Sequence, residues 1–187
     1  MKKFTILAAL IILVLSMSSC GTSNSGKGSD SSSASSQATV DIVLPASAFE
    51  DETDFDAESY AAEQGFTKAV KNADGSVTVT MTVTMHEDLL KSITDTIEDS
   101  FAKYIGAKDT PYVKSIKHTD DFKVVTISVD RIKYQAAPID TTPFTVGLTS
   151  MMYQTYAGTV QHVEINVCDA DTGAILFSAV YPDAMES

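Results

Sequence analysis

The sequence predicts an α+β domain. Its mostly antiparallel sheet has three hairpins plus an N-terminal strand, and two or three helices pack on one face. Three observations carry that expectation. Val77, Val79, Met81 and Val83 alternate strictly with Thr78, Thr80, Thr82 and Thr84, the period of a strand with one buried face and one wet face. Three turn signals, Asp74-Gly75, Thr119-Asp120-Asp121 and Asp169 to Gly173, each sit between two apolar runs, as hairpin loops do. From Met85 to Ile105 the apolar residues instead recur at helical spacing.

Taken in order, Val40, Ile42 and Leu44 mark a first strand that Pro45 stops. Asp56 is placed to cap a helix over 57–64, and Gly65 to end it. Residues 66–71 and 77–84 form the first hairpin. Thr84 and Glu87 have the spacing of a capping box. It opens a helix whose apolar side is Met85, Leu89, Leu90, Ile93, Ile97, Phe101, Tyr104 and Ile105, with Gly106 beyond its end. Residues 114–118 and 122–129 form the second hairpin, and Pro138 interrupts the chain. Thr142 and Pro143 suit the N-cap and first turn of a helix reaching about Tyr156. Its expected buried side is Phe144, Leu148, Met151, Met152 and Thr155. Residues 160–167 and 174–181 form the third hairpin.

Hairpins separated by helices favour α+β over α/β. No alternating βα units and no glycine-rich phosphate loop occur, which disfavours a nucleotide-binding fold. The 187 residues suit one medium domain, and 44% hydrophobic content is enough for a core. The isoelectric point of about 4.4 argues against a nucleic-acid partner, because phosphates need a basic face. Two cysteines exclude a disulfide framework and a cysteine-rich zinc site.

The N-terminus carries an address. Lys2 and Lys3 precede an apolar run from Phe4 to Leu15, too short to span a bilayer as a helix. Ser18 and Ser19 then precede Cys20. This arrangement is that of a secretory signal peptide, and residues 1–21 resemble a bacterial lipobox, with Met17 where leucine is usual. The resemblance implies cleavage before Cys20 and a thioether-linked diacylglycerol on its sulfur. Acyl chains of the palmitate kind then hold the protein to the membrane, and two chains suffice for stable anchoring. Residues 1–19 are thus the signal peptide and 20–39 a lipidated tether. Eight of the nineteen residues from Gly21 to Thr39 are serine, giving a flexible reach of roughly 25 Å. Residues 40–187 form the single folded domain. Loss of Lys2 and Lys3 takes the formal charge from −12 to −14, so anionic lipid repels the domain and the anchor alone holds it.

The Val40-to-Pro45 strand, the Asp74-Gly75-Ser76-Val77-Thr78 turn and the Asp171-Thr172-Gly173 turn resemble those of small lipoproteins of unknown function from anaerobic bacteria. That resemblance implies location and architecture only.

Candidate chemistry is sparse. Glu50, Asp51, Glu52, Asp54, Asp56 and Glu58 form an acidic run without the spacing or glycine of a calcium loop. It reads as a solvated segment with Asp56 as a cap. Asp169 and Asp171 begin like a calcium loop, but Val180 stands where its closing glutamate belongs. His162, Glu164 and Asn166 share one strand face. Were it beside the threonine row, Thr80, Thr82, His162 and Glu164 would make a polar ligand face, with His162 as donor or base and Glu164 as its partner. His86 and His118 read as surface residues, and Cys168 as a half-buried strand thiol. No catalytic motif, metal set or cofactor signature emerges.

The functional expectation is a lipoprotein on the outer face of the bacterial cytoplasmic membrane, at the cell surface in a host with one membrane. It is anchored through diacylglycerol on Cys20. Its non-enzymatic domain binds a protein, wall component or small molecule. The alternative is an envelope-associated hydrolase with a site assembled from distant residues such as His162 and Glu164.

Overall fold

A computed structural model describes residues 38–185, apart from Thr53 and Pro138. The signal peptide, Cys20, almost all of the tether and the Pro138 break therefore lie outside the described residues. The chain is α+β. In order it runs β1 (Thr39–Leu44), α1 (Ala57–Gln64), β2 (Lys68–Lys71), β3 (Val77–Thr82) and α2 (Val83–Ala102). There follow β4 (Val113–His118), β5 (Val124–Val129), α3 (Arg131–Ala136), α4 (Thr142–Tyr156), β6 (Val163–Asp169) and β7 (Ile175–Tyr181). Short 3₁₀ turns lie at Ala46–Ala48 and Asp183–Met185.

The strands divide between two sheets, one of order β1-β3-β2 and one of order β4-β5-β6-β7. The three expected hairpins are all present as antiparallel pairs. The exception to the antiparallel pattern is β5 with β6, which run parallel. The chain between them holds α3 and α4, and a crossover through helices is how parallel neighbours are joined.

In the three-stranded sheet Ile42, Leu44, Val77, Val79 and Met81 are buried together with Phe49. Phe55, Tyr60 and Phe66 close this core, with rings 5.4 Å apart for Phe55–Tyr60 and 5.9 Å for Tyr60–Phe66. Asp56 caps α1 as expected, accepting from the Ser59 N–H at 2.6 Å. Gly65 ends that helix at φ 74°, a left-handed conformation that favours glycine.

The start of α2 differs from the expected capping box. Thr82, not Thr84, is the N-cap, and its hydroxyl accepts from the Met85 N–H at 3.1 Å. The alternation Val77 to Thr84 therefore breaks two residues early, and Val83 is exposed rather than buried. Helix α2 has twenty residues, a length of about 30 Å. Its first turns, through Met85 and Leu89, pack on the smaller core. Its later turns, through Ile93, Ile97 and Phe101, pack on the larger one.

That larger core lies on the inner face of the four-stranded sheet, where Val125, Ile127, Val129, Val163, Ile165 and Val167 are buried. The β4–β5 turn is tied by Asp121, which accepts from the Thr119 hydroxyl at 2.8 Å and the Lys123 N–H at 3.1 Å. The Thr119 bond, followed by those from Lys123, brings the Asp121 carboxyl down to about 2. Its support for the turn is in place above the ordinary carboxylate range and is lost as pH falls through about 2.

Helix α4 presents a different side from the one expected. Thr141 is its N-cap position, so Thr142 and Pro143 fall inside the first turn. Its buried residues include Val146, Gly147, Ser150, Met151 and Gln154, whereas Phe144 and Leu148 are exposed. The reason is close approach. A Cβ on Gly147 would lie 2.7 Å from the Tyr181 ring, so the small side of the helix meets the sheet. Helix α3 was not expected, and Asp130 caps it by accepting from the Lys133 N–H at 3.1 Å.

The cap assignment is open to test. Thr82→Ala is expected to cost about 1 kcal/mol of stability. Thr84→Ala, at an exposed position, is expected to stay within about 0.5 kcal/mol. Urea denaturation of the two variants separates them, and the reverse order would restore the Thr84 cap.

Candidate functional site: a groove at the free edge of β1

The four residues of the expected ligand face are not brought together on one sheet. Thr80 and Thr82 belong to β3 of the three-stranded sheet. Glu164 belongs to β6 of the four-stranded sheet, and His162 precedes that strand. Their polar groups are also committed elsewhere. Thr80 donates its hydroxyl to Asp41 at 2.6 Å, and Thr82 caps α2. Glu164 accepts from the Asn166 amide at 2.7 Å. The face of β6 that carries Glu164 and Asn166 also carries the free thiol Cys168. Asn166 is buried there, and its Oδ1 is among the buried polar atoms with no hydrogen-bond partner.

A better-formed site lies beside β1. This strand has a neighbour on one side only, β3. The Val83 N–H donates across to the Ala38 carbonyl at 3.0 Å, which fixes the phase of the ladder. Backbone groups alternate in direction along a strand, so Val40, Ile42 and Leu44 bond to β3. The N–H and C=O groups of Asp41 and Val43 point to the free edge. The close Asp41–Thr80 side-chain bond agrees, because directly opposed residues approach most closely at non-hydrogen-bonded pairs.

Along that edge runs an open groove of about 450 Å³. Asp41, Val43 and Pro45 form one wall, and Thr155, Thr159, Val160 and Gln161 form much of the other. Val43 is 57% exposed and Val160 86% exposed. Asp41 is the only ionisable side chain among the lining residues. The groove therefore offers apolar contact, hydroxyl and amide groups, one carboxylate, and unpaired main-chain donors and acceptors.

The far wall is held by Gln154, a fully buried residue of α4. Its Nε2 donates to the His162 carbonyl at 2.9 Å and its Oε1 accepts from the His162 N–H at 2.7 Å. Its own carbonyl accepts from the Thr159 N–H at 3.0 Å. The side chain thus imitates a strand neighbour for the loop before β6. Gln161 adds a bond to the Thr155 hydroxyl at 2.7 Å. Gly158 turns this loop at φ 67°, where a Cβ would lie 3.0 Å from Ile42 Cδ1. Sequence reasoning missed Gln154, since nothing in a lone glutamine on a helix distinguishes a buried staple from a solvated side chain.

A second hollow of about 390 Å³ includes Lys108, Asp109, Tyr112 and Lys133 in its lining. The Tyr112 hydroxyl donates to Asp140 at 2.8 Å. Burial first, and then that carboxylate, push the phenol up to about 12. Tyr112 and Asp140 brace the entry to α4, whose Thr142 N–H also donates to Asp140 at 2.9 Å.

The histidines expected at the surface are structural. His86 Nε2 donates to the Tyr156 carbonyl at 2.7 Å, tying α2 to the end of α4. His118 stacks on Phe122 at 4.1 Å and lies 3.4 Å from Glu98. Among the described residues no three His, Cys, Asp or Glu side chains group as metal ligands. No helix among them is long and apolar enough to cross a membrane.

Gln154→Leu keeps the volume of the side chain but leaves the His162 N–H and C=O unpaired. The expected cost is about 2–4 kcal/mol, read as a lower urea midpoint. An unchanged midpoint would remove Gln154 from the support of the groove.

No protein-family model, no curated protein and no solved structure matches the chain.

Proposed function

We propose that the chain is a lipid-anchored binding protein on the outer face of a bacterial cytoplasmic membrane, with no enzymatic activity of its own. Its domain takes an extended polypeptide segment along the free edge of β1. The observation that carries this reading is the groove itself, which follows an unpaired strand edge and exposes Val43 and Val160. A peptide laid there as an added strand meets the outward N–H and C=O groups of Asp41 and Val43, which supply affinity. The side walls select residues. Asp41 and the acidic balance of the chain, formal charge −12, favour a segment that is apolar with lysine or arginine rather than acidic. The reading of the anchor rests on residues 1–20, where the basic start, the apolar run and Ser18-Ser19-Cys20 stand together.

Two experiments test the two halves. A labelled set of ten-residue synthetic peptides, basic, neutral and acidic, is titrated against the full chain and its Val43→Pro variant. Proline removes the outward N–H without touching a bond to β3, a substitution edge strands tolerate. Binding of basic peptides is expected to weaken about tenfold, the value of roughly one backbone hydrogen bond, while the melting temperature holds. Asp41→Lys is expected to reverse the charge preference. No binding by any peptide class would sink the groove. For the anchor, Cys20→Ser is expected to abolish labelling with radioactive palmitate and to stop processing before residue 20, whereas persistent labelling would overturn it.

A further inference from the structure

The outer face of the three-stranded sheet is a set of rows that run across its strands. Asp41 of β1 stands opposite Thr80 of β3, and Lys68 of β2 stands on the other side of Thr80. Val43, Thr78 and Val70 form the next row in the same way. Between these rows Ile42, Val79 and Ala69 are aligned, and their side chains point to the inner face. The strand on the β2 side therefore completes the rows with lysine, alanine and valine. On the β1 side the same rows end with no strand beside them.

The free side of β1 sets what completes each row there. Asp41 Oδ1 accepts from the Thr80 hydroxyl at 2.6 Å, and the second carboxylate oxygen is left to face a cation. Val43 is exposed in the groove, so an apolar side chain laid beside it covers both. The inner side is more confined. A Cβ on Gly158 would lie 3.0 Å from Ile42 Cδ1, so the loop after α4 stands against the residue between Asp41 and Val43. Hydroxyls on that side are engaged. Thr155 donates to the Met151 carbonyl at 3.0 Å, and Thr159 donates to the Gln154 carbonyl at 3.3 Å. An inward side chain meets walls there rather than free donors, which suits a small apolar residue.

The backbone sets the direction. With the N–H and C=O groups of Asp41 and Val43 both turned outward, an antiparallel strand places one residue opposite each and exchanges two bonds with it. A parallel strand makes slanted bonds and is slightly less stable per residue. Strand β2 runs parallel to β1, since both are antiparallel to β3. A strand antiparallel to β1 meets the rows in the reverse order, first Val43, then Ile42, then Asp41.

We propose that the β1 groove selects a three-residue pattern in an extended segment of another protein. From N- to C-terminus the pattern is a β-branched apolar residue, a small residue, then lysine or arginine. The proposal rests on the reading of the groove as a peptide site and assigns its selectivity to three places. Val43 selects the first residue and Asp41 the third, each through a cross-strand pair. The loop at Gly158 limits the second. Charge favours a basic segment over a second copy, which would bring a formal charge of −12 against −12.

The test uses the full-length chain and labelled ten-residue synthetic peptides that differ only in their three central residues. Valine-alanine-lysine is the reference, and binding is read by fluorescence anisotropy. The reversed order, lysine-alanine-valine, is expected to bind about tenfold more weakly, because both cross-strand pairs are lost. Valine-tryptophan-lysine is expected to weaken by at least about tenfold through overlap with the loop. Asp41→Lys is expected to prefer valine-alanine-glutamate, and Val43→Asp to prefer lysine-alanine-lysine, each variant changing the preference at its own position alone. Binding that ignores the order or the central residue, or a preference that changes at the wrong position, would overturn the pattern while leaving the groove a peptide site. No binding by any peptide would overturn both. Self-association of the peptide-free chain that Asp41→Lys abolishes would give the edge to a second copy and overturn the proposal.

Discussion

One helix holds the two sheets in a common frame. The apolar stripe of α2 begins on the core of the three-stranded sheet at Met85 and Leu89. It ends on the core of the four-stranded sheet at Ile97 and Phe101. Ile97 and Phe101 are buried and worth roughly 1.5–3 kcal/mol each, and the partly buried Met85 and Leu89 add a smaller share on the other core, so the helix is held by both sheets. The bond from His86 to the Tyr156 carbonyl joins its first turn to the end of α4. Because the loop after Tyr156 forms the far wall of the β1 groove, the position of α2 reaches the site through that bond.

Helix α4 shows how packing overrides hydrophobicity. Read by residue type, its core side is Phe144, Leu148, Met151, Met152 and Thr155, of which Met151 is buried. The structure instead turns Gly147, Ser150 and Gln154 inward. Close contact with Tyr181 leaves no room at position 147 even for a methyl group. Density of contact rewards such a fit as much as bulk does. The polar groups that come inward with it are satisfied. Ser150 donates to the Val146 carbonyl at 2.8 Å, and Gln154 serves the loop before β6. Phe144 and Leu148 are left exposed, with the Phe144 ring 6.4 Å from that of Tyr181.

Much of the fold was legible because its signals are local. The Asp56 cap, the left-handed glycines at 65, 75 and 173 and the threonine alternation of β3 each depend on a few neighbouring residues. The misplaced start of α2 is of the same kind, since Thr82 and Thr84 are both sound caps and only the exposure of Val83 separates them. The division into two sheets and the parallel β5–β6 pair were not legible, because a hairpin does not record which other hairpin it joins. The candidate site was hidden for that reason. Thr80 and Glu164 stand on different sheets, whereas Asp41 and Gln161, 120 positions apart by number, line one groove.

The edges of the two sheets carry the functional argument further than any cluster of reactive side chains. A backbone edge is a row of donors and acceptors that must meet water or another chain. On β2 and β4, lysines keep it in water, and they do so in an acidic chain where basic residues are scarce. On β1 the single aspartate accepts a hydrogen bond from the Thr80 hydroxyl, and the groove beside it is shaped by a loop that a buried glutamine holds. On β7 no charge intervenes at all. Lysines thus stand on two of the edges, while β1 runs beside a mixed polar and apolar groove and β7 carries the half-exposed ring of Phe177.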